Sequence, residues 1–232
     1  VLKSYGLFVI TGAGLKEIKE GTAVYTKNGE EDTLDGDAIL LATGRGPNTE
    51  GLHAERAGVE LTKRGAVVTD KHLRTTAENI WAAGDVCGNL QFTYISLDDS
   101  RIILSDMQGD GSRTTENRGA FAYSVFMEPS FSRVGLSEKE AADKGLNYRV
   151  VRMNTDMIPK AKVLRKTTGM LKAVIDKDSG KIFGAALFCP ESYEIINMVK
   201  LAMDHDLDYT VLRDFIYTHP TMSEGLNDLF AL

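Results

Sequence analysis

The chain has 232 residues with a formal net charge of -6, 43% hydrophobic and 26% charged, a balance that reads as a soluble, globular protein of one large or two modest packed domains. Its Lys and Arg residues form no single-face stripe, so nucleic acid is not an expected partner. No apolar run approaches the roughly 20 residues of a membrane span, and the opening VLKSYGLFVITGAG lacks the basic start and unbroken apolar core of a signal peptide. No membrane partner is expected, and the expected compartment is the cytoplasm.

In chain order, GLFVIT predicts a strand, and AVYTKNGEEDTL predicts a hairpin turning at Asn28-Gly29. DAILLATG is a short continuous apolar run closed by glycine, which suits a central strand buried on both faces. Glycines and Pro47 in GRGPNTEGL mark a crossing loop, GAVVTD predicts another strand, and NIWAAGD predicts a buried strand ending in a carboxylate. TYISLDDSRIILSDMQGDG predicts a helix followed by a polar linker. The composition changes near Arg118. Beyond it YRVVRMN and MLKAVIDKDSGKIFGAALF predict antiparallel strands, with Asp178-Ser179-Gly180 as a hairpin turn. SEKEAADKG predicts a short helix with Ser137 and Glu140 as a capping box and Gly145 as its stop. ESYEIINMVKLAMDHD predicts a helix with an apolar face through Ile195, Ile196, Val199, Ala202 and Met203.

A few stretches could carry chemistry. In parallel α/β sheets ligands bind at the carboxyl ends of strands, where Gly84 would admit a close approach and Asp85 would accept a hydroxyl hydrogen bond. Asp85 also reads as an ordinary turn aspartate. If Thr93 and Tyr94 open the following helix, their N–H groups and its positive end suit an anionic group. ATGRGPNT, with Gly44 and Arg45 after an apolar run, reads by itself as a plain strand exit. THPTMSEGL places His219 and Glu224 close together. Thr221 and Glu224 also spell a capping box, so the carboxylate could equally secure a helix start.

The remaining histidines, His53, His72 and His205, lie in polar surroundings and read as surface residues. Cys87 and Cys189 fit neither metal spacing nor a disulfide framework; buried thiols are expected, and no metal site. A hydrolase using Ser223 with His219 finds no support, since no G-x-S-x-G elbow occurs.

Four stretches, DAILLATGRGPNT, TTAENIWAAGDV, VFMEPSFSRVGLSEKEA and THPTMSEGL, in this order and spacing, resemble the pyridine nucleotide-disulfide oxidoreductases. These are FAD-dependent dimeric flavoproteins that include glutathione reductase, dihydrolipoamide dehydrogenase and mercuric reductase. QFTYISLDDSRI and HPTMSEGLNDLF look most like the bacterial reactive-chlorine-resistance branch. The resemblance implies an α/β and α+β chain: residues 1–43 as the tail of an NAD(P)-binding domain, 44–118 as a returning FAD-domain segment, and 119–232 as an antiparallel-sheet-plus-helices dimerisation domain. It implies that Asp85 binds the flavin ribityl or diphosphate region and that Thr93 faces the isoalloxazine ring. By the same resemblance His219 is the acid/base, with Glu224 on its other ring nitrogen.

A histidine with an ordinary pKa near 6.5 can exchange a proton with a thiol at neutral pH, and a carboxylate partner fixes its tautomer. The resulting cation can favour a nearby thiolate. Pro220 makes His219-Pro220 a candidate cis bond.

The family's glycine-rich loops and its C-x4-C redox pair do not occur; TGAG at Thr11 to Gly14 lacks the following glycine. The chain begins at Val1 in what reads as a strand-bearing unit, so the expectation is a C-terminal portion of a longer enzyme. FAD and NAD(P)H are then cofactors of the full-length enzyme, a small molecule is its substrate, and this fragment alone is expected to bind FAD weakly or not at all and to have no reductase turnover. Residues 119–232 are expected to form a homodimer. A dimerisation module without chemistry of its own is the competing reading.

Overall fold

The computed structural model describes residues 2–232, and the chain divides into two compact units, Val1–Thr69 with Thr75–Thr93, and Asp70–Arg74 with Tyr94–Leu232.

The first unit carries one antiparallel sheet: β1 (Ala13–Lys19), β2 (Thr22–Lys27) and β3 (Glu30–Asp35), in that order. The expected hairpin at Asn28-Gly29 forms, both residues at positive φ (53° and 86°) as a tight two-residue turn demands. A second such turn, Glu20-Gly21 (46° and 86°), joins β1 to β2; sequence reasoning missed it, although Gly21 between two extended arms was its signal.

Four expected strands do not form. Residues 7–10 and 37–43 are irregular and outward-facing, with Phe8 92% and Leu40 89% exposed. GAVVTD contributes only the isolated bridge Leu61↔Val67, and NIWAAGD ends in a 3₁₀ helix, Gly84–Cys87, in place of a strand end. The reason is common to all four: a strand exists by pairing its N–H and C=O groups with a neighbour. Among the described residues none of these runs joins a strand ladder. A small apolar nucleus of Ala54, Val59 and Val67 forms there with the partly buried Ala77, Ala82 and Val86 packed against it, and Ala66 and Cys87 are buried as well.

In the second unit a 16-residue helix, α1 (Thr93–Gln108), comes first. It is followed by β4 (Ala122–Val125), β5 (Phe131–Gly135), α2 (Glu138–Asp143), β6 (Tyr148–Asn154), α3 (Pro159–Leu164), β7 (Met170–Asp176) and β8 (Ile182–Phe188). The chain closes with α4 (Ser192–Asp204), α5 (Thr210–Arg213) and α6 (Gly225–Ala231). The five strands pair antiparallel in the order β4-β5-β8-β7-β6. Helix α4 packs on β4, β5 and β8, and α6 on β6 and β7. The expected apolar face of α4 enters this core: Ile195, Ile196, Val199 and Ala202 are buried, as are Leu171, Ile175, Leu187, Leu226 and Phe230.

Two local details hold the sheet. A Cβ at Gly184 would meet the Leu136 carbonyl oxygen at 2.2 Å, so only glycine lets the chain leaving β5 cross β8. Beneath α4, the Ser130 hydroxyl donates to the Cys189 carbonyl (3.0 Å) and also meets Ser192 (2.8 Å), which meets Ser132 (2.8 Å), which meets Ser124 (2.7 Å). Since a carbonyl can only accept, one direction of donation from Ser124 inward satisfies every hydroxyl.

The hydrophilic stretch after α1 is no loose linker. Buried Asp98 and Asp99 on α1 receive Arg113 and Arg118, and Arg74 forks onto Asp106 with its Nε at 2.7 Å. His72 is drawn in too, half-buried with Nδ1 3.8 Å from Asp106 Oδ1, so it is not the free surface residue its polar neighbourhood implied.

Candidate functional site

The turn between α5 and α6 brings His219 and Glu224 together. Ahead of it, the Asn227 side-chain amide donates to the carbonyls of Leu212, Arg213 and Phe215 at 3.1, 2.7 and 3.0 Å. The Tyr217 hydroxyl donates to the Leu212 carbonyl at 3.2 Å, and burial pushes its pKa up to about 12. These bonds fasten the loop entering the site to the helix leaving it. Sequence reasoning missed Asn227, and no local pattern marks an amide that serves carbonyls more than ten positions earlier.

Within the turn, His219-Pro220 is cis. His219 Nδ1 lies 2.7 Å from Glu224 Oε2, with the imidazole 69% exposed and the carboxylate only 14% exposed. The carboxylate accepts, so Nδ1 carries the proton and Nε2 presents its lone pair outward. A buried acceptor thus fixes the tautomer of an exposed base. Glu224 Oε1 is buried and has no hydrogen-bond partner among the described residues.

The capping-box alternative is half realised. The Thr221 hydroxyl does accept from the Glu224 N–H at 3.3 Å, yet Glu224 turns its carboxylate to His219 and stands in helical geometry with no side-chain cap. The carboxylate is committed to the histidine.

Both cysteines are buried, and burial, helped by the Glu191 charge, pushes the Cys189 thiol up to about 12. Among the described residues no group of three or more His, Cys, Asp or Glu could hold a metal ion.

The other sequence-predicted residues lie in or beside the first unit. Gly84 opens the 3₁₀ helix at φ 75°, a conformation that favours glycine, and Asp85 follows it half-buried. The Asp85 carboxylate has no hydrogen-bond or ion-pair partner among the described residues. Asp85 could accept a hydrogen bond from a hydroxyl-bearing ligand such as the FAD ribityl chain, beside a glycine that permits close approach. Gly44, at φ 97°, has open space where a Cβ would sit, and Arg45 is exposed beside it. Thr93 is the first residue of α1, as expected, with Thr93 and Tyr94 both exposed.

The match to known proteins falls in two parts. Residues 121–230 match the family model for the pyridine nucleotide-disulphide oxidoreductase dimerisation domain, and residues 1–100 match the model for pyridine nucleotide-disulphide oxidoreductase. The chain belongs to the pyridine nucleotide-disulphide oxidoreductase family. Members of this family are FAD-containing, NAD(P)H-dependent disulfide reductases.

The chain is 47% identical over 232 residues to RclA of Escherichia coli (strain K12), described as a probable pyridine nucleotide-disulfide oxidoreductase, covering 100% of this chain and 53% of that protein. It is 35% identical over 230 residues to a mercuric reductase of Staphylococcus aureus, covering 97% of this chain and 42% of that protein. A solved structure of the HOCl-induced flavoprotein disulfide reductase RclA from Escherichia coli superposes with a TM-score of 0.90 at 47% identity, covering 100% of this chain and 53% of that one. The chain therefore spans about half the length of the relatives it matches. No helix among the described residues is long and apolar enough to cross a membrane.

Proposed function

We propose that this chain supplies the acid/base and part of the flavin cradle to an FAD-dependent enzyme that passes electrons from NAD(P)H to a disulfide, a metal ion or another small oxidant. The reading rests on one observation above the rest: an exposed imidazole whose inner nitrogen is held at 2.7 Å by a carboxylate only 14% exposed. Such a pair has a use only if something outside this turn offers a proton to Nε2.

Bound flavin would supply two-electron transfer from NAD(P)H to a redox disulfide, with the balance NAD(P)H + H⁺ + R–S–S–R giving NAD(P)⁺ and two R–SH. The chain's own residues handle protons and position. His219 Nε2 takes the proton from an attacking thiol and returns it to the departing sulfur, while Glu224 stabilises the imidazolium between the two events. Asp85 accepts from a flavin hydroxyl. Gly84, Gly44 and Arg45 would help to hold the cofactor, and the α1 start at Thr93 and Tyr94 would offer its N–H groups to the ring system.

In this reading residues 1–43 belong to an NAD(P)-binding domain, 44–118 to a FAD-binding domain, and 119–232 form the homodimer surface that carries His219 to a second subunit. The substrate is a small molecule, and the place of action is the cytoplasm. The 232-residue chain alone, without glycine-rich phosphate loops or a C-x4-C pair, is expected to bind FAD weakly or not at all and to show no reductase turnover.

The test uses the full-length protein. His219→Ala is expected to slow the thiol-dependent step by about 10²–10⁴-fold, the usual worth of a positioned acid/base, with flavin content unchanged. Asp85→Ala is expected to lower flavin content itself. Single-turnover rates and flavin absorbance showing the reverse assignment would refute both roles.

A further inference from the structure

We infer that Thr221 is a positioning residue for the His219–Glu224 pair: its hydroxyl closes the turn that holds the imidazole in line with the carboxylate. The inference rests on His219 being the acid/base of the proposed function.

The geometry is specific. Thr221 Oγ1 donates to the Thr218 carbonyl at 2.7 Å, the carbonyl of the peptide that enters His219. The same oxygen accepts from the backbone N–H of Glu224 at 3.3 Å and from the Ser223 hydroxyl at 3.3 Å. One hydrogen donated and two lone pairs occupied is the full capacity of a hydroxyl. A single atom therefore ties the peptide ahead of the histidine to the peptide of its carboxylate partner.

The backbone does not perform this closure by itself. Helix α6 starts only at Gly225, and the backbone bonds nearby, Gly225 N–H to the Met222 carbonyl (3.3 Å) and Leu226 N–H to the Ser223 carbonyl (3.0 Å), fasten the later half of the turn. Met222 and Leu226 are buried, so that half is anchored in the core. The earlier half, Thr218 to Pro220, is exposed, and among the described residues no backbone-to-backbone hydrogen bond closes it. Besides the His219–Glu224 bond itself, the hydroxyl of Thr221 joins the exposed half to the anchored one.

Valine keeps the shape of threonine but removes the oxygen, leaving the Thr218 carbonyl and the Glu224 N–H to find other partners. The exposed half then shifts relative to Glu224. A displacement of about 1 Å in a reacting group costs on the order of 10²-fold in rate, and Thr221→Val is expected to lose roughly 10- to 100-fold in the thiol-dependent step on that scale.

The experiment compares Thr221→Val, Thr221→Ser and His219→Ala in the full-length enzyme. It measures flavin content, thermal midpoint, the rate of flavin reduction by NAD(P)H, and the pH profile of the thiol-dependent step. The expected result is that the valine variant keeps its flavin and its NAD(P)H half-reaction, while the thiol step slows and its histidine-dependent limb moves along the pH axis. Thr221→Ser, which restores the oxygen, is expected to recover most of both. If the valine variant does not fold, Thr221→Ala carries the same readout against the same serine control.

A folded variant without the hydroxyl that retains the parental rate and pH profile overturns the inference. Failure of the underlying reading looks different: His219→Ala itself would then leave the thiol step unchanged.

Discussion

Two regions of this molecule carry the same short text and put it to different use. Ser137-x-x-Glu140 and Thr221-x-x-Glu224 are both capping boxes on paper. At the first, both halves form: the Glu140 N–H donates to the Ser137 hydroxyl (3.2 Å) and the Ser137 N–H to the Glu140 carboxylate (2.7 Å). At the second, only the threonine half forms, and the carboxylate goes to His219. A capping box is thus a contest for one carboxylate. At the first box the carboxylate serves the Ser137 N–H and the Arg133 guanidinium (2.8 Å) together, and at the second an imidazole N–H two residues ahead of the box takes it because the turn folds it back.

The sharpest way to break this comparison is to remove the acceptor charge at each site. On the proposed function, Glu224→Gln in the full-length enzyme is expected to slow the thiol-dependent step by up to about 10²–10⁴-fold, the worth of the positioned acid/base that it orients. Glu140→Gln is expected to leave that step alone. Single-turnover kinetics of the two variants decide the matter, and equal rates would mean that Glu224 is a helix-start residue after all.

How far the sequence foretold this molecule follows from where each element's partners lie. β6, β7, β8 and α4 were legible because each has its pairing or packing partner close along the chain, so local pattern and tertiary outcome agree. DAILLATG is as apolar as any of them, yet it stands irregular and exposed. Hydrophobic pattern reports a demand for burial, and a strand needs a ladder neighbour to meet it. The site shows the same limit. His219 and Glu224 were legible as a pair within one short stretch, whereas Asn227 and the serine chain from Ser124 to Ser130 act across distances no local motif records. Asp85 was legible as a carboxylate after glycine, but its 3₁₀ setting was not.

A smaller effect sharpens the comparison from the stability side. Ser137→Ala removes a complete cap and is expected to cost about 0.5–2 kcal/mol, read as a lower denaturant midpoint, with no change in any redox step. A cost near zero would mean that the first box is closed on paper only.

The smallest expected effect separates the boxes by acid. The Ser137 hydroxyl and N–H, and then the Arg133 guanidinium, hold the Glu140 carboxyl down at about 2 from an ordinary value of 4.5. A carboxyl whose folded pKa is depressed contributes fully above its unfolded value and loses that contribution as pH falls through the folded one. The stability difference between the parent chain and Glu140→Gln should therefore be constant above pH 4.5, shrink between 4.5 and about 2, and vanish below. Glu140 is exposed, so solvent screening keeps the difference small. Unfolding midpoints measured across that window provide the check: a difference that persists at pH 2 would mean the carboxylate contributes through packing rather than charge, and the first box would then resemble the second in name alone.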